Sequence, residues 1–309
     1  MSRIFEALQK AESERKQDPQ PAFEVGEQPP SSAAVAEFEP EPQYVHPQFS
    51  VSTEDIPRTN IGGFSFEGIA RHSWNPGLDK LPAMMDRGPS VEQFRSLRSR
   101  LNEARDIRPI KSVLVSSGMP QEGKSFVSAN LAISLARHKS NKVLLIDGDM
   151  RRYTIHEMLG TSPSPGLADY LGGKATVQDI LQRSDEPADQ GLNRSPLANL
   201  AFIPGGNGGD RAADLSGSPR FGELLHIVAP LFDWIIIDSS PVLPVSDAVN
   251  LARSCDGVLL VARGGVTKYP VAQRAAAELR GSNVLGFVLN AVHEAPQVGN
   301  YYGYNAGRE

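Results

Sequence analysis

"VLVSSGMPQEGKSFVSANLAISLA", Val113 to Ala136, decides how the rest of this chain is read. A short run of branched apolar residues leads into a glycine-bearing loop, and a long stretch of helix formers follows. Gly118 to Ser125 matches G-x-x-x-x-G-K-(S/T). It lies between a predicted strand and a predicted helix, the context that makes the pattern a P-loop. The residue types follow from the chemistry. Glycines let backbone amides turn inward around phosphate, because no Cβ stands in the way. The helix behind them offers the positive end of its dipole to the same anion. Lys124 would reach the β- and γ-phosphates, and the Ser125 hydroxyl would ligate Mg2+. The candidate nucleotide-binding residues on this segment are Gly118, Glu122, Gly123, Lys124, Ser125 and Phe126.

Two further strands end in carboxylates. "VLLIDGDMRR" carries Asp147 and Asp149 at the end of an apolar run, where ligands bind in open α/β sheets. "FDWIIIDSSPV" ends a second apolar run in Asp238, which reads as a Walker B carboxylate for a magnesium shell. The P-loop and the two acidic strand ends together specify nucleoside triphosphate chemistry, which none of them would do alone.

The surroundings agree with that chemistry. From Gly88 to Ala295 short Val-, Ile- and Leu-rich runs alternate with helical patterns, as expected of strands buried on both faces and joined by crossover helices. The fold expected is α/β: a doubly wound, mostly parallel sheet with right-handed crossovers. The 309 residues divide by composition. Residues 1–16, "SRIFEALQKAESERK" after the initial Met, place Ile4, Phe5, Leu8 and Ala11 on one face of an amphipathic helix, marginal in isolation. Residues 17–87 are rich in Pro, Glu, Gln and Ser and read as a disordered linker; its apolar piece "IGGFSFEGIA" offers a transient docking strand. Residues 88–296 form the P-loop domain, and residues 297–309 a flexible tail holding Tyr301, Tyr302 and Tyr304 among Gly299, Gly303 and Gly307.

Bulk properties narrow the function. A formal charge of −5 argues against nucleic-acid binding. Cys255 is the single cysteine, which excludes an internal disulfide and fits a reducing compartment. One cysteine and six scattered histidines give no support to metal–thiol or acyl-transfer chemistry. No apolar run approaches the roughly 18 residues that cross a bilayer, and the N-terminus lacks the apolar core of a secretory signal.

The P-loop with two carboxylate strands resembles the deviant-Walker (SIMIBI, MinD-like) P-loop NTPases, a class that includes the ParA/MinD-type partitioning proteins. Those carry an additional lysine near the start of the loop. Here Met119, Pro120, Gln121 and Glu122 occupy that stretch, which counts against a partitioning ATPase. From about Val91 onward the chain resembles the bacterial tyrosine kinases (BY-kinases) of the CpsD/CapB-like cytoplasmic type. "SSGMPQEGKS", "LLIDGDMRR", "IIIDSSP", "RRYTIHEMLGTSPSPGLADYL", "GGDRAADLSGSPRF" and the tyrosine tail carry the likeness. The family pattern D-x-D-x-R falls on Asp147, Asp149 and Arg151. Two departures stand out: Ser239-Ser240-Pro241 replaces the usual Ser- or Thr-Pro-Pro, and the tail holds few tyrosines.

The resemblance implies an ATP- and Mg2+-dependent protein-tyrosine autokinase of capsule or exopolysaccharide biosynthesis and export. It makes Lys124, Asp147 and Asp149 the catalytic group, with Asp147 orienting or deprotonating the tyrosine hydroxyl. Ser125, Asp149 and Asp238 become the metal shell, and Tyr301, Tyr302 and Tyr304 the sites modified in trans. Spacing alone favours reading Glu92, Arg95 and Arg98 as a solvated charge run on one helix face; the resemblance reverses that, since they match the family's E-x-x-R-x-x-R oligomerisation motif and imply an intersubunit contact. The implied partners are further copies of the chain, a membrane polysaccharide co-polymerase (Wzz-like) as activator and a cognate tyrosine phosphatase, with no nucleic acid. The implied location is cytoplasmic, recruited to the inner face of the cell membrane, and residues 1–16 are a candidate docking element. The alternative is an ATP-binding scaffold or positioning ATPase without kinase activity. Asn290, ending the last strand, is a candidate adenine contact or a buried structural amide.

Overall fold

In the computed structural model, residues 65–138, 140–185 and 195–292 are described. The N-terminal helix expected over 1–16 and the three tail tyrosines lie outside them.

Among the described residues eight strands form one sheet. In chain order the elements begin with β1 (Arg71–His72), α1 (Pro89–Ile107), β2 (Ser112–Ser117), α2 (Lys124–Ala136) and β3 (Val143–Asp147). Three short helices follow, α3 (Ile155–Leu159), α4 (Leu167–Leu171) and α5 (Val177–Ile180), then β4 (Gln182–Ser184) and β5 (Leu200–Ile203). The second half runs α6 (Ala212–Ser216), α7 (Arg220–Val228), β6 (Trp234–Asp238), α8 (Asp247–Ala252), β7 (Gly257–Arg263), α9 (Tyr269–Glu278) and β8 (Val284–Asn290). The strand order is β1-β4-β5-β3-β6-β2-β7-β8, parallel throughout except between β4 and β5.

The alternation of side chains along a strand builds two cores. Leu114, Leu144, Ile146, Ile235 and Ile237 face one side of the sheet, with Leu224 of α7 and Leu251 of α8. Val113, Val115, Val143, Leu145, Trp234 and Ile236 face the other, with Phe94 and Leu101 of α1 and the apolar body of α2. Every residue of α2 from Val127 to Ala136 is buried, so this helix is enclosed all round, clamped between sheet and α1. That burial fixes the P-loop at its N-terminus.

The expected linker over 17–87 ends too late. Residues 65–87 pack on the domain, with Phe66, Ile69, Trp74, Leu81 and Ala83 buried. Instead of a strand, "FEG" forms a single 3-10 turn, and β1 then adds to the sheet edge beside β4. The Arg183 guanidinium lies 3.8 Å from the Phe66 ring and donates to the Phe66 and Ala198 carbonyls. Asn130 accepts from the Ala83 amide, and Arg137 donates to the carbonyls of Ala83, Met84 and Met85. Composition hides this strap because its apolar anchors are sparse and their partners lie far along the chain.

Candidate active site

β6 enters the sheet between β3 and β2, and the register decides what meets what. Asp147 pairs with Asp238, and Asp238 with Val115, so the carboxylates that end β3 and β6 stand side by side at the carboxyl edge. β2 continues to Ser117 and turns into the P-loop above them. Gly148 permits this close approach: a Cβ there would lie 2.5 Å from the Asp238 carbonyl oxygen, to which the Gly148 amide donates at 3.0 Å.

In the P-loop, Gly123 adopts a left-handed conformation at φ 91°, and a Cβ would meet Asn290 Nδ2 at 2.0 Å. Only glycine fits there. Asn290 Nδ2 donates to the Glu122 carbonyl at 3.0 Å, so its amide braces the P-loop from behind. No side chain caps the N-terminus of α2, which leaves its first amides for an anion. The Glu122 side chain, 4% exposed, accepts from the Met119 amide and from the Thr267 hydroxyl. Its side chain thus ties Met119 of the loop to Thr267, while its carbonyl takes the Asn290 amide. Phe126 likewise turns its ring to Phe94, with centroids 5.8 Å apart.

The charged groups converge. Lys124 Nζ lies 3.1 Å from Asp149 Oδ2. Ser125 Oγ donates to Asp238 Oδ2 at 2.6 Å, and Ser128 Oγ to Asp238 Oδ1 at 3.0 Å. Asp147 accepts from the amides of Asp149 and Ile155 and is wholly buried. Burial and the neighbouring Asp238 hold the Asp147 carboxyl well above the usual range. Burial also pushes Asp238 up, to about 6, against the pull of Lys124 and Ser125. Burial draws Lys124 down, but Asp238 and Asp149 outweigh it and keep its ammonium above the ordinary value.

This donor set fits a magnesium-bound triphosphate. The three carboxylates face one ammonium, an imbalance that a divalent cation relieves. Among the described residues no cluster of three or more His, Cys, Asp or Glu side chains could hold a metal by itself. That suits Mg2+, which takes one or two carboxylates and completes its shell with water and phosphate oxygens. Two cavities of about 470 and 370 Å³ lie at the opposite, amino-terminal edge of the sheet, lined by residues such as Arg108 and Asn283 or Glu67 and Lys142. Asp256, beside the first, already accepts from the amides of Lys111 and Ser112.

Arg151 does not reach the phosphate side in this arrangement; its guanidinium pairs with the buried Asp247 at 2.7 Å and ties the loop after β3 to α8. On α1, Arg95 pairs with Glu92, and Arg98 donates to the Ser134 carbonyl at 2.6 Å. Sequence reasoning missed Ser128, Thr267 and Asp247. The three-residue step from Ser125 put Ser128 on the same helix face; the other two pairings carry no local signal.

The chain is 34% identical over 219 residues to the tyrosine-protein kinase wzc of Salmonella typhimurium, covering 70% of this chain and 28% of that protein. It is 33% identical to the tyrosine-protein kinase YwqD of Bacillus subtilis, covering 64% and 80%, and 30% identical to the tyrosine-protein kinase CpsD of Streptococcus agalactiae, covering 71% and 90%. This chain thus spans little more than a quarter of the long relative and most of the short ones. The kinase domain of Escherichia coli tyrosine kinase ETK superposes with a TM-score of 0.64 at 29% identity, over 77% of this chain and 89% of that one. No protein-family model matches the chain.

Proposed function

Since the chain belongs to the bacterial tyrosine-protein kinase family, we propose that it transfers the γ-phosphoryl group of ATP to tyrosine hydroxyls, its own Tyr301, Tyr302 and Tyr304 first among them. The observation that carries this reading is the junction of P-loop and carboxylates: Lys124 on Asp149 at 3.1 Å and Ser125 on Asp238 at 2.6 Å. Bound ATP supplies the phosphoryl group, and Mg2+ offsets its charge. Lys124 exchanges Asp149 for phosphate oxygens. Ser125, Asp149 and Asp238 would hold the metal. Asp147, whose carboxyl favours a proton more than an ordinary aspartate, takes the proton of the incoming tyrosine.

The tail is proposed as a substrate in trans, on a neighbouring copy that Glu92, Arg95 and Arg98 help to dock. Each phosphotyrosine adds roughly −1.5 to −2 charges, so modification of the tail loosens the assembly. A polysaccharide co-polymerase at the inner face of the membrane is the proposed activator, a tyrosine phosphatase the proposed counterpart, and control of capsule or exopolysaccharide production the output. Among the described residues no helix is long and apolar enough to cross a membrane.

The test is mass spectrometry of the full chain after incubation with Mg·ATP, with and without the activator's cytoplasmic segment, beside Lys124→Met. Phosphate on Tyr301, Tyr302 or Tyr304, absent from the variant, is the expected result. ATP binding without phosphotyrosine in either tube overturns the kinase reading in favour of an ATP-binding scaffold.

A further inference from the structure

Two residues beyond Asp238, a buried hydroxyl stands without a partner. Ser240 is 1% exposed, and its Oγ makes no hydrogen bond among the described residues. Its neighbours are satisfied. Ser239 Oγ donates to the Val115 carbonyl at 3.0 Å, and Ser116 Oγ donates to the Ser240 carbonyl at 2.7 Å. The Ser240 hydroxyl alone in this turn is left over.

The backbone places it at the phosphate edge. After β6 the chain runs along the end of β2, with the Val242 amide on the Ser117 carbonyl at 2.8 Å and the Leu243 amide on the Gly118 carbonyl at 3.3 Å. Ser240 therefore lies between Asp238, which grips Ser125 and Ser128, and Gly118, the first residue of the P-loop motif. A buried hydroxyl without an acceptor is destabilising and calls for an explanation; among the described residues Ser134 Oγ, on the C-terminal half of α2, is another, but only Ser240 follows a site carboxylate. An alanine would fill the position with no polar atom to satisfy. What the hydroxyl lacks is an acceptor, and the acceptors expected at this edge are phosphoryl oxygens.

We propose that Ser240 is a further catalytic residue, its hydroxyl donating to a terminal oxygen of the γ-phosphoryl group of the bound triphosphate. The proposal rests on the triphosphate reading of the site given above. The donor is neutral and already desolvated, so it stabilises charge on the transferring group without titrating and without stripping water at the moment of reaction. It also adds a contact at the one residue where Ser239-Ser240-Pro241 departs from the expected Ser-Pro-Pro.

The experiment compares the full-length wild type with Ser240→Ala. Thermal unfolding in EDTA without nucleotide should show the variant more stable, by about 2–4 °C, since an unmet hydroxyl has been removed. Calorimetric affinity for Mg·ADP should stay within about twofold. Affinity for Mg·ADP with aluminium fluoride, which mimics the transferring phosphoryl group, should fall about tenfold, the worth of a hydrogen bond made only there. Ser240→Cys, with its weaker donor, should lie between. A lower melting temperature with unchanged fluoride-complex affinity would assign the hydroxyl a structural bond, by way of water, and overturn the proposal. Equal weakening of both complexes would also overturn it, by placing the hydroxyl elsewhere on the nucleotide. A wild type that binds neither complex overturns the triphosphate reading and the proposal with it.

Discussion

Replacing Asp238 with asparagine should make the ligand-free protein more stable at neutral pH and remove part of its pH dependence. The Asp238 carboxyl is 1% exposed and is pushed from 3.8 to about 6 by burial, opposed by Lys124 and the Ser125 hydroxyl. In the unfolded chain it ionises near its ordinary value; in the folded protein it keeps its proton to about pH 6. The folded state thus binds more protons between those values, and stability is lost as pH rises through the folded value. The whole difference is worth about 3 kcal/mol at about 1.4 kcal/mol per unit. Between pH 5 and pH 7.5 the part still to be lost is about 1.4 kcal/mol, because the unfolded group is already ionised at pH 5. For a domain of this size that corresponds to about 3–6 °C in melting temperature. Asparagine keeps the shape, and the Ser125 and Ser128 hydroxyls can turn to match its amide. Lys124 retains Asp149 at 3.1 Å. The assay is thermal unfolding in EDTA at pH 5 and pH 7.5, wild type against variant. Asp147 titrates in the same sense and is raised partly by Asp238, so the variant eases its titration as well, and the difference between the two proteins reads the coupled pair. A variant less stable than wild type at pH 7.5, with an unaltered slope, would show that the ionised carboxylate is a net stabiliser and refute the electrostatic account.

Three further outcomes are expected. Gly148→Ala drives a Cβ to 2.5 Å from the Asp238 carbonyl oxygen and 3.0 Å from Leu251; chemical denaturation should register a loss of about 1–3 kcal/mol, with weaker nucleotide binding as β3 and β6 part. Replacing the anchors Phe66, Trp74 and Leu81, all buried on the domain, together with alanine should cost more than about 5 kcal/mol, seen as aggregation or loss of a cooperative transition. The Cys255 thiol, half-buried by its exposed surface, is pushed far up by desolvation and by Asp256 and donates to the Leu251 carbonyl, so iodoacetamide at pH 8 should label it fast only in denaturant; rapid labelling of the native protein would contradict the raised thiol.

What could be read along the chain was whatever local spacing controls. The apolar runs at Val113–Val115, Val143–Ile146 and Trp234–Ile237, the glycine and lysine positions of the P-loop, and the acidic strand ends are each set by a few consecutive residues. Periodicity and backbone sterics reveal them without knowledge of neighbours. The short elements escaped: β4, α4 and α6 are three to five residues long, too brief to establish a period, and they exist because the surrounding core holds them. The strap over 65–87 escaped for a related reason, its few anchors meaning nothing until Arg183, Asn130 and Arg137 arrive from later in the chain. The tertiary structure alone decided that β6 lies between β3 and β2. That placement sets Asp238 beside Asp147 and under Ser125, raises the carboxyls by shared burial, and strands the Ser240 hydroxyl at the phosphate edge. Strand order follows from which faces bury best together over the whole sheet, a global sum that no window of sequence contains.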